Sequence, residues 1–223
     1  MCHAQDLPWY RTWFNEDYLE VYGHRDEAEA KQGVELAARG LFVVALDLSS
    51  ALLRSGAQKA RDEGVRVGFV QADARHVAVH SGFDAVVNFF TSFGYFEADE
   101  DNELVLENIA RVLKKRGRFL IDYLNVNHLQ ANLVTQNVWR MGSASVREDR
   151  SIDTVNRRVN KTIAIEREGV EKRYFESVRL YSQNELTSLL SSCGLRVSRT
   201  FGDYDGSAVD VARPRLILVG ERA

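Results

Sequence analysis

The stretch LFVVALDLSSALLRSGAQKARDEGVRVGFVQAD, residues 41–73, decides how the rest of the chain is read. Leu41–Leu46 is a short unbroken apolar run, the texture of a strand buried on both faces. It stops at Asp47, after which Ser49 or Ser50 is placed to cap a helix that carries Leu53, Ala57 and Ala60 on one side and is closed by Gly64. Val65–Gln71 is a second apolar run. Strand, helix and strand within about 30 residues form the unit from which parallel sheets with crossover helices are built.

Outward from this unit the alternation continues. Phe83–Phe90 reads as a third strand, Asp99–Lys114 as a helix presenting Leu106, Ile109, Ala110 and Leu113 on one face, and Arg118–Leu124 as a fourth strand. The cations Lys114, Lys115, Arg116 and Arg118 follow that helix, where positive charge complements the negative end of the helix dipole. From Val138 to Tyr181 the pattern changes to polar and apolar residues in alternation, in three stretches at Trp139–Arg147, Thr154–Glu166 and Lys172–Tyr181, which predicts a small antiparallel sheet. Ser182 and Glu185 are spaced as a capping box before a helix with Leu186, Leu189, Leu190 and Cys193 on one face, and Gly194 stops it. Strands at Leu195–Thr200 and Arg215–Gly220 complete the chain.

Upstream, Trp9–Arg25 sets Trp9, Tyr10, Trp13, Phe14, Tyr18 and Tyr22 at near-helical intervals, which reads either as a helix packed on the domain or as a lid over a ligand. Glu27–Arg39 predicts a further helix ending at Gly40. No internal repeat or low-complexity linker interrupts the chain. The expected architecture is therefore one α/β domain over residues 1–223, a doubly wound, mostly parallel sheet with helices on both faces. An aromatic cover spans residues 1–26 and an antiparallel insertion residues 138–181.

Composition excludes several classes. A chain of 223 residues, 45% apolar, hides roughly 70% of its unfolded surface and needs no covalent staples. Cys2 and Cys193 form neither a disulfide framework nor a zinc ligand set. Twenty-nine Lys plus Arg against 32 Asp plus Glu leave a net charge of -3, too balanced for a polyanion footprint, so no nucleic acid is expected. Met1–Pro8 lacks the basic and apolar segments of a secretory signal, and no apolar run reaches membrane-spanning length, so a cytoplasmic protein without a membrane partner is expected. His76 and His80 are four apart but lack the glutamate and third ligand of a metal helix, and read as a surface pair.

Ligands in open parallel sheets bind beyond the carboxyl ends of the strands, where helix N-termini converge. The residues to inspect are Asp47, Asp73, Asn88 with the following Phe89–Tyr95, and Asp122–Asn125. A strand-terminal acid such as Asp47 is suited to accept two hydrogen bonds from ribose hydroxyls, which points to a nucleoside cofactor. Taken alone, Asp47 and Asp73 each read more simply as caps on a following helix.

Several stretches together resemble the class I S-adenosylmethionine (SAM)-dependent methyltransferases of the small-molecule type. They are WFNEDYLEVYGHRD (13–26), VVALDLSSALL (43–53), FVQADAR (69–75), FDAVVNFFTSFGYF (83–96), ENIARVLKKRGRFLIDYLN (107–125) and the ending FGDYDGSAVDVARPRLILVGER. The resemblance implies a Rossmann-like methyltransferase sheet, SAM as cofactor and a small-molecule methyl acceptor. It implies that Asp47, with its neighbour Leu48, holds the ribose. Asp73, with Ala74, meets the adenine amino group, and Asn88 and Phe89 border the methionine end. Tyr18, Tyr22 and His24 are weaker candidates for contact with cofactor or substrate.

One departure is large. The family opens its sheet with a strand and a glycine-rich loop that approaches the cofactor closely because glycine lacks a side chain. Here the resemblance passes from the helix near Gln32 directly to GVELAARGLFVV at Gly33, skipping about 30 residues, the size of part of a βα unit. Either the sequence omits a segment of the natural polypeptide, which the mobility of such loops when empty favours, or the chain has lost its central strand and normal cofactor affinity.

Methyl transfer from a sulfonium needs alignment rather than acid assistance, so no catalytic triad is required. A base serves only a protonated acceptor; Tyr95, Asp122, Tyr123 and His128 are the candidates near the expected mouth. The leading reading is SAM-dependent methyl transfer to a small molecule. The alternative is a noncatalytic methyltransferase-like assembly module that has lost its cofactor loop. A homo-oligomer is compatible with both, and a nicotinamide enzyme is a distant third because GxGxxG is absent.

Overall fold

The structure, a computed structural model, describes residues 7–22 and 33–223. His24 and the first part of the helix expected from Glu27 lie outside the described residues, as does the junction near Gln32. The described chain is α/β and divides into two compact units.

The first unit contains the chain through Ala74 together with Asn137–Glu148 and Thr162–Glu176. Its aromatic segment forms two short helices, α1 (Trp9–Trp13) and α2 (Glu16–Val21). Asn15 makes the break, because its side chain accepts the Asp17 amide at 2.8 Å and starts a new helix. Helix α3 is described over residues 33–38. β1 (Val43–Asp47) and β2 (Val67–Gln71) pair in parallel, from Val43 opposite Val67 to Asp47 opposite Gln71. Between them runs α4 (Ser50–Asp62); Ser49 caps it by accepting the Leu52 amide at 3.1 Å, and Gly64 past its end takes φ +66°. Leu41 and Phe42, read as strand residues, precede β1 and are exposed, since the ladder to β2 begins at Val43.

The second unit contains Arg75–Gln136, Asp149–Lys161 and Ser177–Ala223. Its elements are β3 (Phe83–Asn88), α5 (Asp99–Val112), β4 (Leu113–Leu124) and α6 (Val126–Asn132), then α7 (Gln183–Ser192), β9 (Leu195–Phe201) and β10 (Arg215–Arg222). The sheet order is β3-β4-β10-β9. β3 and β4 are parallel, whereas β10 runs antiparallel to both β4 and β9. No helix intervenes between Phe201 and Arg215, and a chain that returns without a crossover returns antiparallel. The capping box at Ser182 and Glu185 forms as read. The basic cluster does not sit on a helix end: α5 stops at Val112, and Lys114 lies in β4 with its ammonium 2.6 Å from Asp84.

The antiparallel insertion has four strands in meander order, β5 (Gln136–Met141), β6 (Ala144–Asp153), β7 (Arg158–Arg167) and β8 (Val170–Arg179), and its residues are divided between the two units. The stretch read as one strand from Trp139 to Arg147 is a hairpin. Gly142 takes φ +59°, a left-handed conformation that turns the chain within two residues and is inexpensive only for glycine.

In the first unit, α1 and α2 bury Trp13, Tyr18, Val21 and Tyr22 against Ala144, Val146, Ile163 and Ile165. The rings stack edge to face, Trp13 to Tyr18 at 5.4 Å and Trp13 to Tyr22 at 5.9 Å between centroids. In the second, Ile121 of β4 and Leu218 of β10 face each other in register and are fully buried, as are Leu106, Leu186 and Leu190.

Candidate functional site

In the first unit the carboxyl ends of β1 and β2 open onto a cavity of about 280 Å³. Leu48 and Ser49 line it at the start of α4, Gln71 at the end of β2, and Tyr10, Arg11 and Phe14 from the aromatic segment. This is just under the range of small-molecule pockets, roughly 300–1,000 Å³, enough for a nucleoside end alone. Asp47, half-buried, accepts the Ser49 amide at 2.7 Å in a tight side-chain turn. The capping of α4 is done by Ser49, so Asp47 is not the helix cap that local sequence allows. Ser49 also donates its hydroxyl to the Phe14 carbonyl at 2.6 Å, tying the aromatic segment to the strand end. Asp73 has no helix to cap, because residues 76–82 are irregular; its carboxylate lies 3.6 Å from the Arg11 guanidinium. Leu48 and Ala74 are half-buried beside the two acids.

Tyr18 and Tyr22 lie in the aromatic core, the latter donating its hydroxyl to buried Glu148. Tyr10, Arg11 and Phe14 face the cavity. The near-helical spacing of the aromatic residues does not say which of them meets the core and which the cavity. Arg11 carried no signal at all.

In the second unit Asn88 ends β3, its amide donating to the Ser92 carbonyl at 3.3 Å. Phe89 follows, and then Phe90 and Thr91 take φ +55° and +62°. Such a conformation is uncommon outside glycine and rarer still for β-branched Thr91. Both amides are held by Asp122 of β4, Phe90 N–H by the carboxylate at 2.8 Å and Thr91 N–H by the main-chain carbonyl at 2.9 Å.

Three of the four candidate bases, Tyr123, His128 and Tyr95, have different surroundings. Tyr123 is fully buried and donates its hydroxyl to the Arg179 carbonyl; burial pushes its phenol well above the ordinary range. His128 on α6 sets Nδ1 2.9 Å from the Val211 carbonyl, and since a carbonyl only accepts, Nδ1 carries the hydrogen and Nε2 keeps the basic lone pair of the neutral ring. Tyr95 is half-buried in a segment fastened from outside: Arg158 of β7, itself buried, donates to the carbonyls of Gly94, Tyr95, Phe96 and Ser177. Burial lowers the Arg158 pKa, and carbonyl dipoles stand in for a counter-ion. In sequence Arg158 looks like any arginine on an alternating strand. His76 and His80 are exposed and lie in irregular chain.

Residues 29–117 match the family model described as a methyltransferase domain. The glycine/sarcosine N-methyltransferase of Parasynechococcus marenigrum is 25% identical over 201 residues, 83% of this chain and 68% of that protein. The ubiquinone/menaquinone biosynthesis C-methyltransferase UbiE of Idiomarina loihiensis is 33% identical over 106 residues, 46% of this chain; the match spans less than half of that relative, 40%. Among solved structures, a SAM-dependent methyltransferase from Clostridium acetobutylicum superposes with a TM-score of 0.72 at 15% identity, covering 97% of this chain and 93% of its own. No described helix is long and apolar enough to cross a membrane.

Proposed function

We propose that this chain, whose residues 29–117 match a methyltransferase-domain model and whose fold is that of a SAM-dependent methyltransferase, transfers a methyl group from SAM to a small-molecule acceptor. The observation that carries the reading is the cavity beyond β1 and β2, with Leu48 on its wall, Asp47 next to Leu48 at the end of β1, and Asp73 two residues past the end of β2. A carboxylate, an apolar side chain and the N-terminal turn of α4 suit a ribose and a purine, so the residues present fit the nucleoside end of the cofactor. When bound, SAM supplies an electrophilic methyl on a sulfonium whose departure leaves a neutral thioether.

The protein's part is binding, alignment and removal of a proton where the acceptor carries one. Asp47 accepts hydrogen bonds from the ribose hydroxyls, while Leu48 and Phe14 shield the base from water. Asp73 receives the adenine amino group, with Arg11 fixing its charge in place. Asn88 and Phe89 are assigned to the methionine end. Of the candidate bases we favour His128, whose Nε2 is the basic nitrogen; Tyr123, sealed and donating to a carbonyl, serves packing, and Tyr95 serves orientation of the acceptor. A cytoplasmic location goes with this reading.

One observation favours the noncatalytic alternative: β1 and β3 belong to separate sheets, and each is an edge strand. Calorimetry with S-adenosylhomocysteine separates the two. Saturable binding by the wild-type chain, weakened about tenfold or more in Asp47→Ala by loss of charge-assisted hydrogen bonds, is the expected result. A wild-type chain that forms a stable oligomer and takes up no nucleoside would leave the assembly module standing.

A further inference from the structure

We propose that Asp122 is a positioning residue, holding the Phe89–Ser92 turn in the one backbone geometry that keeps the buried Oδ1 of Asn88 waiting for a ligand's donor; the inference rests on the methyltransferase reading. Sequence reasoning placed Asp122 among candidate bases. The structure commits it elsewhere. The residue is 0% exposed, and its carboxylate accepts the Phe90 amide at 2.8 Å, the Tyr204 hydroxyl, and Arg215 Nε at 2.6 Å. Arg215 also supplies the neutralising charge that a buried carboxylate requires. With these donors and that cation in place, the carboxylate is poorly suited to take a substrate proton.

What the node holds is a conformation that the chain would leave if released. Phe90 and Thr91 are consecutive non-glycine residues at positive φ, each disfavoured by contact between the side chain and its own backbone. Asp122 meets both amides, one through its side chain and one through its carbonyl. One residue before them, across Phe89, stands Asn88, whose buried Oδ1 has no hydrogen-bond partner among the described residues. An amide oxygen kept buried without a donor is costly unless a ligand supplies one. The strained turn and the waiting acceptor are thus adjacent in the chain, and one carboxylate governs the first. The Tyr204 ring, 6.5 Å from that of Phe90, brings the segment between β9 and β10 to the same node.

An asparagine at 122 has one acceptor oxygen for the donors on two sides, and its NH2 faces a donor whichever way it is turned. The test compares wild type, Asp122→Asn and the double variant Asp122→Asn/Thr91→Gly. S-adenosylhomocysteine affinity is read by calorimetry and amide exchange at Phe90 and Thr91 by NMR or mass spectrometry. Asp122→Asn is expected to weaken binding by about tenfold or more, the worth of a charge-assisted hydrogen bond, and to speed exchange at both amides. Glycine adopts positive φ freely, so Thr91→Gly in that background is expected to recover a substantial part of the lost affinity. A merely structural role would give no such rescue. Should Asp122→Asn fail to fold, Tyr204→Phe, which removes a single donor, carries the same comparison with a smaller loss. Wild-type affinity together with protected amides in Asp122→Asn overturns the proposal, as does a loss that Thr91→Gly leaves unchanged. Absence of binding by the wild type overturns the methyltransferase reading instead, and the exchange comparison, which needs no ligand, still decides whether Asp122 holds the turn.

Discussion

Asp47 and Asp122 both stand at or near the carboxyl end of a strand, and their surroundings are opposite. Asp47, at the end of β1, is half-buried next to Leu48 of the cavity wall and accepts the backbone amide two residues on. Asp122, near the end of β4, is sealed from water, paired with an arginine 93 positions distant and given two further donors. A carboxylate held locally beside a cavity keeps geometry that a ligand can use. One whose lone pairs are spent on distant parts of the chain holds those parts in place. The same residue type at the same kind of position is therefore proposed for binding in one case and for positioning in the other, and burial with long-range pairing makes the division.

The comparison breaks first at Asp122. Removing its side chain leaves Arg215, the Phe90 amide and the Tyr204 hydroxyl without their acceptor, so Asp122→Ala is expected to cost about 3–5 kcal/mol of stability in urea or guanidinium unfolding. Ser49→Ala comes next at about 1 kcal/mol, because it removes the cap of α4 and the donor to Phe14 together; the drop in unfolding midpoint measures it. Asp47→Ala loses the short-range hydrogen bond from the Ser49 amide, whose removal is expected to cost about 0.5–1 kcal/mol of stability, even as it weakens nucleoside binding. Equal stability losses for Asp47→Ala and Asp122→Ala would erase the distinction.

The smallest expected effect sharpens the contrast from a third position. The Arg157 guanidinium, with Ser182 assisting, holds the Glu185 carboxyl at about 2, below its ordinary 4.5. A folded-state value below the unfolded one contributes stability that is complete above pH 4.5 and is lost as pH falls toward 2. Both side chains are more than a third exposed, so solvent screening limits the contribution to a few tenths of a kcal/mol, about 1 at most. Glu185→Gln is expected to flatten the stability profile between pH 4.5 and 2 by that small amount, measured by unfolding at stepped pH.

Local physics was legible. The βαβ unit at residues 41–73, the stops at Gly64 and Gly194, and the capping box at Ser182 and Glu185 each depend on residues within one or two turns of each other. Where the reading slipped, a single residue intervened: Asn15 split the aromatic helix and Gly142 turned one strand into two. Only their positions in the chain, not the surrounding periodicity, carried that information.

By itself the sequence determined the α/β class, the order of strands and helices and the resemblance to methyltransferases, because hydrophobic period, caps and contiguous motifs are written in neighbouring residues. The tertiary structure alone decided that Tyr10, Arg11 and Phe14 face the cavity while Tyr18 and Tyr22 face the core, that Arg158 fastens the segment around Tyr95, and that Arg215 and Tyr204 close over Asp122. These depend on which surfaces meet when the chain collapses. A buried charge finds its partner by proximity in space, and that proximity leaves no local pattern from which it could be read.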